Sequence, residues 1–355
     1  MSKIRYSSLF FVVLAISSSV LFGKIHISND DQNSSIDLIS DRTSQQLPIH
    51  EPNLAEPNDF VSIWNTSIMD FHSSNANQIA LPLHISGIYN FIVDWGDGNS
   101  NTITVWNQAE TTHTYTVEGI YTIVISGTIQ GWQFANHGDE EKLLEITQWG
   151  NFSFGNSGEY FDGCRNLRIT ASDAPDLSST TRFDQAFTNC ENLDNEGSIN
   201  DWNVSTITNM WECFANCYNF NQSLVSWDVS QVSQMQGLFF NARAFNYPLD
   251  RWNVSNVYYM DSMFRNAYAF DQPLNSWNVE KVYSAHSMFL NARSFNHPLD
   301  NWNFKKIEMI PEMFRSAVSF NQSLNSWNLS SCTNLGKMFY NATSFNQPLD
   351  EWDVS

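Results

Sequence analysis

The sequence predicts an α/β solenoid of leucine-rich-repeat type, with short parallel strands and short helical segments on a 25-residue period, preceded by an N-terminal all-β sandwich domain. Three observations carry this. Trp202, Trp227, Trp252, Trp277, Trp302, Trp327 and Trp352 stand 25 residues apart without exception. Two sets of phenylalanines, Phe214 to Phe339 and Phe220 to Phe345, keep the same step. Upstream, residues 61–130 hold short alternating apolar runs separated by turn residues. A fixed period of this size marks stacked units, none of which buries its apolar face alone.

One repeat can be read in order. NQSLVSWDVS offers Leu224, Trp227 and Val229, an L-x-x-W-x-V strand pattern with Trp in the middle. Val232, Met235, Leu238, Phe239 and Ala242 follow at offsets of 3, 3, 1 and 3, which suit one face of a short helix or 3₁₀ segment. Phe245 and the polar turn from Asn246 bring the chain back to the next Leu249. The aromatic residues of the period are read as core, not as a sugar-stacking platform. Degenerate coils precede the regular ones: Trp149 and Phe161 keep the Trp202-to-Phe214 offset, and Phe183 and Phe187 repeat Met210 and Phe214. The array is therefore expected from about residue 140, degenerate to 200 and regular over 201–355. The sequence stops at EWDVS, inside a predicted strand, so either it is a fragment of a longer chain or its last partial coil is left as an exposed edge.

In the β domain, FIVDW (Phe91–Trp95) reads as a strand and Gly96-Asp97-Gly98 as a tight turn. Thr102–Val105 supplies the next strand. His113, Tyr115 and Val117 alternate along another, and Tyr121, Ile123 and Ile125 along a fourth. Asp97 and Asn99 suit hydrogen bonding to their own turn.

Two segments precede this domain. Lys3 and Arg5, the apolar run Leu9–Ile16 and the small residues before Gly23 have the order of a secretory signal peptide over 1–23. An uncleaved N-terminal helix is the alternative. Residues 24–60 are polar and proline-containing and read as a linker. Five cysteines (Cys164, Cys190, Cys213, Cys217 and Cys332) are read as packing residues in preference to a bridge or a zinc site.

The 355 residues carry 37 Asp+Glu against 17 Lys+Arg, a formal charge of -20. Most of the excess lies before residue 201, where 24 acids meet 8 bases. That balance argues against nucleic acid and against an anionic membrane surface. No carboxylate pair stands out from the period, so the reading is non-catalytic, with no cofactor and no metal.

On the strand, the residues beside each Trp point away from the core. They form the candidate binding face: Asp201, Asn203, Ser226, Asp228, Arg251, Asn253, Ser276, Asn278, Asn301, Asn303, Ser326 and Asn328. A second ladder, Asn221, Asn246, Asp271, Asn296, Asn321 and Asn346, is read as closing the turn backbone.

Two resemblances follow. Val93–Gly98 (VDWGDG) with His113–Gly127 (HTYTVEGIYTIVISG) resembles the polycystic-kidney-disease (PKD) β-sandwich modules, which implies structural roles for Asp94, Trp95, Asp97, His113 and Tyr115. The repeat WNVSNVYYMDSMFRNAYAFDQPL (Trp252–Leu274) resembles the BspA-like leucine-rich repeat surface proteins with DUF285 repeats. That resemblance implies a secreted or cell-surface protein, in some members associated with adhesion, and no enzyme activity. The partner expected is an extracellular protein or glycan. A structural envelope or matrix protein assembling through its repeats is the alternative, and a glycan-processing enzyme a remote one.

Overall fold

The computed structural model of the chain describes residues 49–50, 55–193, 196–197 and 199–352, and these belong to one compact unit. The predicted signal peptide and most of the linker lie outside the described residues.

The N-terminal part is a mixed sheet. Its strands are β1 (Ile49–His50), β2 (Phe60–Asn65), β4 (Leu83–Asp94), β5 (Ser100–Ile103), β7 (Ile120–Trp132), β8 (Leu143–Gln148) and β9 (Arg168–Ile169). The order is β5-β4-β7-β2-β8-β9, with β1 also paired to β7. β3 (Gln78–Ala80) and β6 (Thr112–Thr114) form a separate two-stranded sheet. The alternation seen in the sequence sets the faces. Phe91 and Val93 of β4 and Tyr121, Ile123 and Ile125 of β7 are buried, whereas Asn90 and Ile92 are exposed.

This sheet runs into the repeats. β8 pairs in parallel with β9, and Gln130 of β7 bridges Ser153, which bridges Asp176. Glycines allow the close approach: a Cβ on Gly155 would sit 2.9 Å from the Cα of Gly131, and Gly155 has φ +75°. The far end of a sheet strand thus pairs with the first, degenerate coils, and a separate ladder begins at Arg182.

The expected α/β solenoid does not form, and this corrects the sequence reading twice. First, no described residue is α-helical. The helices are three 3₁₀ turns, Ala109–Thr111, Glu140–Lys142 and Ile199–Asp201, none inside a regular coil. The residues Val232, Met235, Leu238, Phe239 and Ala242 do all point inward. The backbone that points them is a run of tight turns, because Gly237 and Asn241 are left-handed, with φ of 61° and 58°. The N–H groups of Leu238, Phe240 and Ala242 return three residues, to Met235, Gly237 and Phe239. Those of Met235, Gly237, Phe239 and Asn241 cross to Tyr259, Asp261, Met263 and Arg265 of the next coil at 2.8–3.1 Å. An α-helix needs every donor bonded four residues back, so this arc cannot be one. The left-handed pair recurs at Ser262/Asn266, Ser287/Asn291, Glu312/Ser316 and Lys337/Asn341.

Second, L-x-x-W-x-V is not a strand. The N–H of Trp227 folds back to the carbonyl of Leu224, and that of Val232 to Val229. The parallel ladder runs instead through one residue per coil: Arg182, Asn209, Gln234, Tyr259, Ser284, Met309 and Asn334. The array is an all-turn solenoid held by coil-to-coil hydrogen bonds, and the fold as a whole is almost entirely β and turn.

Its core is a set of columns. Phe214, Phe239, Phe264, Phe289, Phe314 and Phe339 stack ring on ring at 5.5–5.9 Å with planes within 13°. Phe220 to Phe345 make a parallel column at 5.8–6.0 Å. From Trp227 to Trp352 each Trp indole donates to a carbonyl of the coil before it, as in Trp252 Nε1 to Leu224 and Trp277 Nε1 to Leu249, at 3.0 and 2.9 Å. A leucine could fill that space but could not satisfy that carbonyl. All five cysteines are free. Cys164, Cys190 and Cys217 occupy the small position that Ala242 takes in later coils, so their burial is packing, and it pushes each thiol up.

Candidate functional site

The candidate face lies where the chain turns around each Trp. Trp227, Trp252, Trp277, Trp302 and Trp327 are at most 3% exposed, while every residue of the candidate face beside them is exposed. Turn geometry, not pleat, produces this alternation. The side-chain oxygens of Asn203, Asp228, Asn253, Asn278 and Asn328 accept the backbone N–H two residues on, at 3.0–3.2 Å. These Asx turns fix each side chain. Asn303 differs and donates to Glu280, at 3.1 Å.

The residues before Trp are tied to the coil below. Ser276 Oγ donates to the carbonyl of Asp250 and Ser326 Oγ to that of Asp300, both at 2.7 Å. Ser226 N and Asn301 N donate to the side chains of Asn200 and Asn275. Asp201 and Arg251 are exposed at the same level. The structure therefore brings the candidate residues into one polar strip along the solenoid.

Within the strip, an open groove of about 380 Å³ is lined by Asn275, Ser276, Trp277, Asn278, Val279, Glu280, Asn301 and Asn303. A second, of about 370 Å³, lies among Pro298, Asp300, Gln322, Ser323 and Ser326. The first is amide- and hydroxyl-lined, with one carboxylate, Glu280, already paired to Lys305 at 2.6 Å. Such a lining can donate and accept many hydrogen bonds, and no acid–base pair or nucleophile stands in it.

Sequence reasoning passed over two features here. The strip repeats every two coils: Ser226, Ser276 and Ser326 alternate with Arg251, Asn301 and Glu351, and Asn275 and Asn325 with Asp250, Asp300 and Asp350. Comparing alternate coils would have exposed it. The other is an asparagine spine. Asn291, Asn266, Asn241 and Asn216 each donate Nδ2 to the amide oxygen of the coil before, at 2.7–2.9 Å, and Asn189 donates to Asp162 at 3.0 Å. Burial raises the Asp162 carboxyl to about 6, with the Asn189 amide opposing. The recurrent Asn-Ala or Asn-Cys pair of the motif, broken only at Ser316-Ala317 between Asn189 and Asn341, was its sequence signal. The ladder from Asn221 to Asn346 accepts the backbone N–H of the following coil, as in Asn246 N to Asn221 Oδ1 at 2.9 Å.

In the N-terminal sheet the residues singled out form one network. Trp95 stacks on His113 at 4.9 Å, and His113 Nε2 lies 2.8 Å from Asp97 Oδ2. Tyr115 donates to the Trp95 carbonyl, and Asp94 and Asp97 accept the N–H groups of Gly96 and Asn99. Burial raises Asp97, but the bonds from His113 and Asn99 outweigh it and hold the carboxyl below its usual range. The module also holds a fully buried pair, Lys142 and Asp139, 3.1 Å apart. Lys142 also donates to the carbonyls of Ser74, Asn75 and Gln78, which satisfies the charge. Beside it, Glu140 is buried with Oε2 unpartnered among the described residues, and burial raises its carboxyl to about 7.

The family model described as "Mycoplasma protein of unknown function, DUF285" matches residues 156–274, 181–302 and 271–355, more than half of the chain. The chain belongs to the DUF285 family. The first two DUF285 matches begin among the degenerate coils, at residues 156 and 181, one 25-residue repeat apart. No curated protein matches the chain.

Proposed function

We propose that this DUF285 protein is an exported, non-catalytic surface protein, as in the BspA-like proteins its repeats resemble, and that it binds an extracellular protein or glycan through the polar strip. The observation that carries the reading is the amide-lined groove at Asn275–Asn303, opened on a rigid stack. Asn203, Asn253, Asn278 and Asn328 have their oxygens engaged in Asx turns, and their Nδ2 groups make no hydrogen bond among the described residues. A row of fixed, free donors suits hydroxyl- or carbonyl-bearing partners. The basic-apolar-small order of residues 1–23 supports export. The Trp95–His113–Asp97–Tyr115 network supports a PKD-like spacer role for the N-terminal module, in which these residues hold structure.

A glycan array and a panel of purified extracellular matrix proteins test this directly. Binding is expected to fall at least tenfold in Asn278→Ala/Asn303→Ala. Absence of any ligand, together with filament formation by the purified protein, would replace this reading with self-assembly.

A further inference from the structure

A second surface lies on the arc between the two phenylalanine columns. Arg243 sits between two tyrosines, its guanidinium carbon 4.6 Å from the Tyr218 ring centre and 5.7 Å from that of Tyr268. Arg293 lies over the other face of Tyr268, at 4.6 Å. The column therefore alternates Tyr, Arg, Tyr, Arg, one residue per coil. Arg265, three residues from the same position in its own coil, lies over Phe240 at 5.5 Å.

These cations are unusual in a chain with 37 acids and 17 bases. Ion pairs form at Arg165, Arg168, Arg182 and Arg315. Arg243, Arg265 and Arg293 have no carboxylate partner among the described residues, and Arg243 and Arg293 are exposed. Stacking on aromatic faces confines a guanidinium, and although Arg293 donates Nε to Asn291 Oδ1 at 3.1 Å, its Nη groups remain for a ligand. The fork geometry matches a carboxylate or sulfate in bidentate fashion. Bridged coils stand about 4.8 Å apart, so Arg243 and Arg293 offer two such forks about 10 Å apart along the axis. An extended disaccharide unit has that length.

We propose that this arginine edge binds an acidic glycan, a linear polysaccharide carrying at least one carboxylate or sulfate per disaccharide. The two-coil alternation of the array matches the repeat of such a polymer. An acidic peptide would satisfy the charge but not call for the aromatic faces beside each fork, which suit the C–H faces of sugar rings. The proposal uses residues separate from the polar strip, so the two readings fail independently.

The test is surface-plasmon resonance of the whole protein on immobilised hyaluronate and chondroitin sulfate, with neutral dextran and polyglutamate as comparators, at low and high salt. Binding to an acidic glycan that weakens with salt is expected. Arg243→Gln/Arg293→Gln should lose at least tenfold, Arg243→Lys should fail to restore it, and Arg165→Gln, an exposed arginine already paired to Glu141, should match wild type. Unchanged circular dichroism and melting temperature would show that the variants fold. No binding to either glycan, equal binding by the double variant, or preference for polyglutamate overturns the proposal.

Discussion

The asparagine spine makes a quantitative claim. Asn266 donates to Asn241 at 2.7 Å and accepts from Asn291 at 2.9 Å, and its backbone is left-handed at φ 59°. In Asn266→Ala both amide bonds vanish, at about 1 kcal/mol each. Alanine at that φ adds about 1 kcal/mol of backbone strain that asparagine largely avoids. The loss should be about 3 kcal/mol, a large share of the stability of an ordinary domain. The spine also has a gap. Ser316 stands at the same position with φ 58°, accepts from Asn341 at 3.2 Å, and makes no bond to Asn291. Ser316→Asn should close it and stabilise by about 1 kcal/mol. Urea unfolding followed by far-UV circular dichroism reads both, provided that the m-value is unchanged. A loss under 1 kcal/mol in Asn266→Ala, or a destabilised Ser316→Asn, would refute the idea that the amides act as a connected ladder.

Three further outcomes follow from the core and from its buried acids. Trp277→Phe removes the indole donor from Leu249 and leaves a small void, and should cost about 2 kcal/mol in the same urea assay. Glu140 and Asp162 have folded-state carboxyls raised by burial to about 7 and about 6, above their unfolded values. The folded state therefore binds more protons than the unfolded state between roughly pH 4 and 7, and stability should fall as pH rises through that window. Melting temperature should fall between pH 5 and pH 7, Glu140→Gln should flatten that slope, and a rise over the same interval would contradict the sign. Thiol titration should label Cys332 promptly in the native protein and all five cysteines only in denaturant, since Cys164, Cys190, Cys213 and Cys217 are buried.

What the sequence could disclose was the side-chain direction, and what it hid was the backbone that achieves it. The period, the inward set and the strands around Phe91, Thr102, His113 and Tyr121 are all present in the structure, because burial pattern is written in residue type. The arc from Val232 to Ala242 was misread as helical because offsets of three and four are shared by a helix and by consecutive turns. The residues that separate the two carry little sign of it. Gly237 and Asn241 favour left-handed φ, but the same positions elsewhere hold Ser262, Glu312 and Lys337. There the conformation is imposed by the neighbouring coils, whose carbonyls take every second N–H. A stack of this kind selects its backbone collectively: one coil alone could turn helical, whereas a neighbour offering four carbonyls in register makes the turn form the better bonded state. The polar strip was legible as a set of exposed positions for the same reason that the core was, while its fixed orientation rests on the Asx turns, which tie each side chain to the N–H two residues on.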